Sequence, residues 1–202
     1  MKIVATHYGS HDISWIPELS DDYLIYDRSG NTGLKNVIPR DNLGDADHDR
    51  LSYIVDNYDN LPDVFLLTKS NIFKYITPEE FDAVKNNTDY TPLLTQHHKT
   101  YSDKQGVVCY YADGIYHERN NSWYLEAVPA KYFQSYKDFA KFFTLPNPEY
   151  LAFAPGGNYI VTRERVHRWP RDFYDRMRSF LPYSQRPGEA HLVERSYHTL
   201  WK

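Results

Sequence analysis

The chain has 202 residues and a formal net charge of −4, with 41% hydrophobic and 25% charged residues. That length supports one domain over residues 1–202 with a core of its own, and the composition excludes a disordered chain. A single cysteine, Cys109, excludes an intrachain disulfide and cysteine-built zinc centres. Unbroken apolar runs, such as Val64 to Leu67, are all too short for a membrane span. No secretory segment opens the chain, so a cytoplasmic location is expected. The acidic balance argues against a nucleic-acid partner.

Lys2–Thr6 reads as a short buried strand, followed by a brief loop and helix that turn Trp15 and Ile16 inward. Tyr23–Tyr26 is a second strand, ended by the turn-forming run Asp27-Arg-Ser-Gly30. The Gly-, Asn- and Pro-rich stretch 31–42 reads as loop. Leu51, Ile54, Val55 and Tyr58 recur at helical spacing, in a helix with Asp45 as a plausible N-cap and an end near 57–60. Asp63–Thr68 is continuously apolar between a proline turn and polar residues, the pattern of a central strand.

Thr77-Pro-Glu-Glu80 opens a further helix with a capping-box pattern. Residues 86–105 read as loop. Asp113-Gly114 between 107–112 and 115–118 is a hairpin signal. An aromatic amphipathic helix is expected over 131–143, stopped by Leu145-Pro-Asn-Pro148. Strands 150–154 and 159–162 flank Pro155-Gly-Gly-Asn158, and helices follow over 170–181 and 189–200. Early alternation of strands and helices with a late hairpin predicts a mixed α/β sheet with helices on both sides.

Ligands of open α/β sheets bind beyond the carboxyl ends of strands. Those ends offer His7 and Tyr8, Asp27 and Arg28, then Lys69. Tyr8 can stack on a base, and Asp27 can accept from a base or a ribose hydroxyl, although a plain turn role accounts for Asp27 as well. Arg40, Asn42, Gly44 and Asp45 lead into a helix start where an anion could sit. Asp45 and Asp47 are hard oxygen donors suited to Mg or Mn, or else acids matched to the helix dipole. Gly156 and Gly157 would let backbone approach a ligand, and Asn158 offers both a donor and an acceptor. A tight turn explains the same residues. The arginines at 163, 165, 168 and 171 read mainly as a solvated face. His191 and Glu194 share one helix face, where a carboxylate could serve as a general base. His97-His98 and His117-Glu118 match no zinc spacing.

Together these segments resemble an uncharacterised domain family with a Tyr-Asp-x-Leu-Pro-Asp hallmark, matched by Tyr58 to Asp63. Asp12-Ile-Ser-Trp-Ile16, Asn42-Leu-Gly44, Gly156 to Arg165, Pro170 to Tyr174 and Glu194-Arg195 match its other segments in order. That family is similar in layout to GT-A glycosyltransferases. The resemblance implies a GT-A-like α/β fold with a mostly parallel central sheet flanked by helices. It also implies a nucleotide-sugar donor, a glycan or small hydroxyl acceptor, and possible use of Mn or Mg. The first strand end and Asp27 would then hold the nucleoside. The turn 156–158 and His191 would face the sugars, and Glu194 would be the base. GT-A enzymes commonly carry Asp-x-Asp at the central strand end, but here that place reads Thr68-Lys69-Ser70-Asn71. Either Lys69 neutralises the leaving diphosphate directly, or Asp45 or Asp47 supplies the metal ligand, or catalysis is lost. Two rivals are a metal-dependent hydrolase on Asp45, Asp47, His48 and His97-His98, and a non-catalytic carbohydrate-binding module using the aromatic surface.

Overall fold

The computed structural model describes residues 1–30, 32–95, 101–103 and 106–202. The paired histidines 97 and 98 lie outside the described residues. The central sheet contains β1 (Lys2–His7), β2 (Tyr23–Asp27), β3 (Val37–Pro39), β4 (Val64–Lys69), β5 (Thr91–Pro92) and β10 (Tyr159–Thr162). Its order is β3-β2-β1-β4-β10-β5. β1 runs parallel to both β2 and β4, and β2 runs parallel to β3. β10 is antiparallel to β4 and to β5, which makes the sheet mixed but mostly parallel.

The apolar strands are buried on both faces, and their alternating side chains divide the core in two. Ile3, Ala5, Ile25, Leu66 and Ile160 pack with Ile16 of α1 (Trp15–Leu19) and Phe81 of α3 (Pro78–Val84). Val4, Tyr26, Phe65, Leu67, Tyr159 and Val161 point the other way. There they meet α2 (Asp45–Asp56), α7 (Arg171–Ser179), α8 (Gly188–Glu194) and α9 (Tyr197–Trp201). The same cluster takes in Tyr116, Leu151 and Phe153 from a second, antiparallel sheet. That sheet has the order β6-β7-β8-β9, from β6 (Tyr101–Asp103), β7 (Gly106–Ala112), β8 (Ile115–Arg119) and β9 (Tyr150–Phe153).

Several expected elements are found where the sequence puts them. Thr77 and Glu80 form the reciprocal capping box of α3. Asp113 and Gly114 take φ of 52° and 76° in the β7–β8 turn, as a two-residue hairpin requires. Other expectations are corrected. The stretches 31–42 and 86–105, expected as loop, contain β3, β5 and β6. β3 and β5 are short edge strands carrying Pro39 and Pro92, and proline is tolerated in a sheet mainly at its edges. The aromatic helix begins only at Ser135, whose hydroxyl accepts from Asp138 N–H, and α5 spans Tyr136–Phe143. Two short helices, α4 (Tyr124–Ala127) and α6 (Arg163–Val166), appear where none was expected. The final helix splits into α8 and α9 around Arg195, whose guanidinium is drawn to Glu118 at 2.6 and 3.0 Å. Asp45 is not the N-cap of α2: Gly44 is, and Asp45 is the first helical residue with φ of 52°. Strands β9 and β10 flank one turn yet belong to different sheets.

α3 is a short helix with one buried anchor, Phe81, so its cap contributes a large part of its stability. Thr77→Ala is expected to cost about 1 kcal/mol, read as a lower midpoint in urea unfolding with an unchanged slope.

Candidate functional site

Strand β1 leads to β2 on one side, whereas β4 lies on its other side. The carboxyl ends of β1 and β4 therefore flank the point at which strand order reverses, where open α/β sheets form a crevice. A cleft of about 430 Å³ lies there. Thr6 and Tyr8 line it from the end of β1 and the residue just past it, Arg28 from just past β2, and Lys69, Ser70 and Asn71 from the end of β4 and the turn after it. Asn42, Asp45 and Ala46 line it from the start of α2, Gln185 and Arg186 from the loop before α8, and His11 and Tyr75 complete it.

The cleft is built on charge pairs. Lys69 Nζ stands 3.5 Å from Asp45 Oδ1. Burial opposes the Lys69 charge, but Asp45 and Glu194 more than offset it and hold its pKa above the ordinary lysine value. Burial likewise pushes Asp45 up, yet Lys69 and the Ala46 N–H keep it below the usual carboxylate range. Arg28 Nε donates to Asp49 Oδ2 at 2.8 Å, and its Nη2 donates to the Asp45 carbonyl. Tyr8 is 57% exposed, which leaves its ring open to a ligand.

Behind the cleft lies a second polar layer. Asp47 Oδ1 accepts from Arg50 at 2.9 Å and from the Tyr197 hydroxyl at 2.8 Å. Arg50, fully buried, also donates to the Gly156 carbonyl at 2.6 Å. Gly157 has φ of +66°, and a Cβ there would stand 2.7 Å from Arg50 Nη1. At Gly156 a Cβ would meet the Tyr75 ring at 2.7 Å. The two glycines thus admit one side chain from the core and one from the cleft. Asn158 Oδ1 accepts from Thr68 Oγ1 at 3.1 Å and from Lys69 N–H at 2.9 Å, which fixes the end of β4.

Of the residues expected to carry function, Tyr8, Asn42, Asp45 and Lys69 meet in the cleft. The others do not line it. His7 is buried, with Nδ1 3.0 Å from Ser70 Oγ, and it packs the joint between two strand ends. Asp27 Oδ1 accepts from Ser29 N–H and Oγ, the turn role that competed with ligand binding. Arg40 covers the Tyr26 ring at 4.8 Å. Gly44 donates its N–H to Ser184 O at 2.7 Å. Gly156, Gly157 and Asn158 are buried as a clamp rather than presented to a ligand. Glu194 Oε1 accepts from Gly156 N–H at 2.8 Å, behind the cleft wall. His191 packs its ring 5.7 Å from that of Tyr124. Burial and then Arg195 lower the His191 pKa. The sequence reading missed His11, Tyr75, Gln185 and Arg186. The loop carrying the last two has no motif, only flanking prolines at 182 and 187.

Asp45 and Asp47 face different partners. The first pairs with Lys69 in the cleft, and the second points into the core toward Arg50 and Tyr197. Among the described residues no group of three His, Cys, Asp or Glu side chains could hold a metal ion. His48, joined to them in the hydrolase reading, stands 3.9 Å from Asp49 instead. The Arg-rich stretch is largely paired at the surface, with Arg163 to Asp63 and Arg165 to Asp89.

A family model described as a protein of unknown function, DUF3431, matches residues 3–202. The chain belongs to that family. No curated protein and no solved structure matches it. Among the described residues no helix is long and apolar enough to cross a membrane.

Two predictions follow from the buried charges. Arg50→Met leaves Asp47 in the core with Tyr197 as its remaining hydrogen-bond donor, and is expected to cost about 3–5 kcal/mol in denaturant unfolding. Arg50→Met with Asp47→Leu should recover part of that loss. Burial, with Arg28, Arg40 and Arg178 nearby, drives the His48 pKa down to about 4. His48 is therefore neutral in the fold, while an unfolded chain takes up its proton near pH 6.5. Its stabilising contribution is complete above pH 6.5 and is lost as pH falls toward 4. His48→Gln should flatten the stability profile across that window, measured as urea midpoints at successive pH values.

Proposed function

We propose that the protein is a glycosyltransferase of GT-A-like fold, moving a sugar from a nucleoside diphosphate donor to the hydroxyl of a glycan or small acceptor. The observation that carries this reading is the cleft at the strand-order reversal. It combines Lys69 and Arg28 at the tips of parallel strands with an open Tyr8 ring. The ring suits a base or a sugar face, and the cations suit phosphate oxygens.

In this reaction the acceptor oxygen bonds to the anomeric carbon as the carbon–oxygen bond to the diphosphate breaks. The electron pair leaves on the diphosphate, and the acceptor proton passes to a carboxylate. Lys69 stabilises the charge that grows on the leaving oxygens, a contribution that electrostatic groups held in place make without reorganising. Asp45 is the carboxylate facing the cleft, so it takes the proton role first expected of Glu194. Its low pKa makes it a weak base, so the leaving-group charge is the larger target for catalysis. Each step here uses this chain's own residues, and none runs through a metal cation.

Uridine and guanosine diphosphates at millimolar concentration should raise the melting temperature. Lys69→Ala should abolish that shift, and Asp45→Asn should lower sugar transfer by about 100-fold or more, with Glu194→Gln having the smaller effect. A broad panel of nucleotides and nucleotide sugars that leaves the melting temperature unmoved would remove the reading.

A further inference from the structure

The charges in the cleft cancel in pairs, with one exception. Lys69 faces Asp45, and Arg28 is bonded to Asp49. Arg186 also lines the cleft, is exposed, and among the described residues has no acidic partner or hydrogen bond. It is a free guanidinium in a cleft of a chain whose net charge is −4.

Its backbone is nevertheless held in place. Ser184 O accepts from Gly44 N–H at 2.7 Å and Gln185 O accepts from Asp45 N–H at 3.1 Å, tying the loop to the start of α2. On the other side the buried Glu189 carboxylate accepts from the Tyr183 hydroxyl at 2.5 Å and from Tyr132 N–H at 2.7 Å. Pro187 follows Arg186 directly and caps α8. The loop backbone is anchored at both ends, which lowers the ordering cost of gripping a ligand, and the side chain is not committed to another partner among the described residues.

We propose that Arg186 is a ligand-binding residue that recognises the diphosphate of the donor, with its planar fork on the phosphate oxygens and Lys69 supplying a second cation from the tip of β4. A guanidinium fork matches phosphate geometry through two parallel hydrogen bonds. With the other pairs neutral, Arg186 supplies the net positive charge that selects a ligand carrying several negative charges. The predicted preference is diphosphate over monophosphate, and monophosphate over the bare nucleoside. This inference rests on the transferase reading, since it assigns the anion that such a donor would bring.

The test compares wild type with Arg186→Gln and Arg186→Lys, using inorganic pyrophosphate, uridine diphosphate, uridine monophosphate and uridine as probes in calorimetry and thermal shift. Arg186 is exposed and has no partner among the described residues, so the unliganded variants should melt with the wild type. Arg186→Gln should weaken pyrophosphate and uridine diphosphate by about 10- to 100-fold, leave uridine unchanged, and be partly rescued by Arg186→Lys. If wild type binds the diphosphates and Arg186→Gln binds them within twofold of it, this assignment is overturned while the transferase reading stands. If wild type binds neither those diphosphates nor any other nucleotide or nucleotide sugar, the reading falls and takes the assignment with it.

Discussion

One buried ion pair holds the architecture behind the cleft together. Arg50 lies in the core among α2, α9 and the β9–β10 turn. It reaches Asp47 one helical turn back and the Gly156 carbonyl over a hundred residues on. Tyr197 closes the group from the last helix through its hydroxyl. A guanidinium removed from water is costly unless its nitrogens find acceptors. Nε of Arg50 has none among the described residues, but Nη1 and Nη2 find theirs on Asp47 and Gly156, so these three segments are held in one arrangement. That arrangement puts the start of α2 beside the tip of β4, and so puts Asp45 within reach of Lys69.

From that constraint the polar layers follow outward. The clamp of Gly156, Gly157 and Asn158 admits Arg50 on its inner side and Tyr75 on its outer side. Asn158 fixes the strand end that carries Lys69. The loop before α8 is bonded to the first residues of α2. Each cleft wall is thus attached to an element already oriented by the core, the condition under which a binding site is preorganised rather than assembled by its ligand.

The sequence was most legible where one rule acts alone. Two-sided burial made β1, β2 and β4 readable as apolar runs, and the Thr77 box and the Asp113-Gly114 turn carry local chemistry that nothing distant overrides. β3 and β5 were hidden because three- and two-residue edge strands with proline have the composition of loops; their pairing comes from neighbours far along the chain. In the site, Lys69, Tyr8 and Asp45 were legible as strand-end and helix-start residues. Gly156 to Asn158 were recognised as special, but sequence cannot say whether a glycine makes room for a ligand or for a buried arginine. Glu194 shares a helix face with His191, as its spacing implied, yet an amide of the neighbouring turn takes up one carboxylate oxygen. Arg186 sits in a motif-free loop, and only the folded chain reveals that it has no counter-ion among the described residues.

Asn158 joins three stretches of chain. Its amide oxygen holds the end of β4, its backbone carbonyl accepts from Leu93 N–H, and it stands where the polypeptide passes from one sheet to the other. Such a rivet makes the β4 side of the crevice the stationary jaw. Adjustment to an incoming molecule then falls to the exposed side chains of Tyr8 and Arg186 rather than to the backbone that carries them.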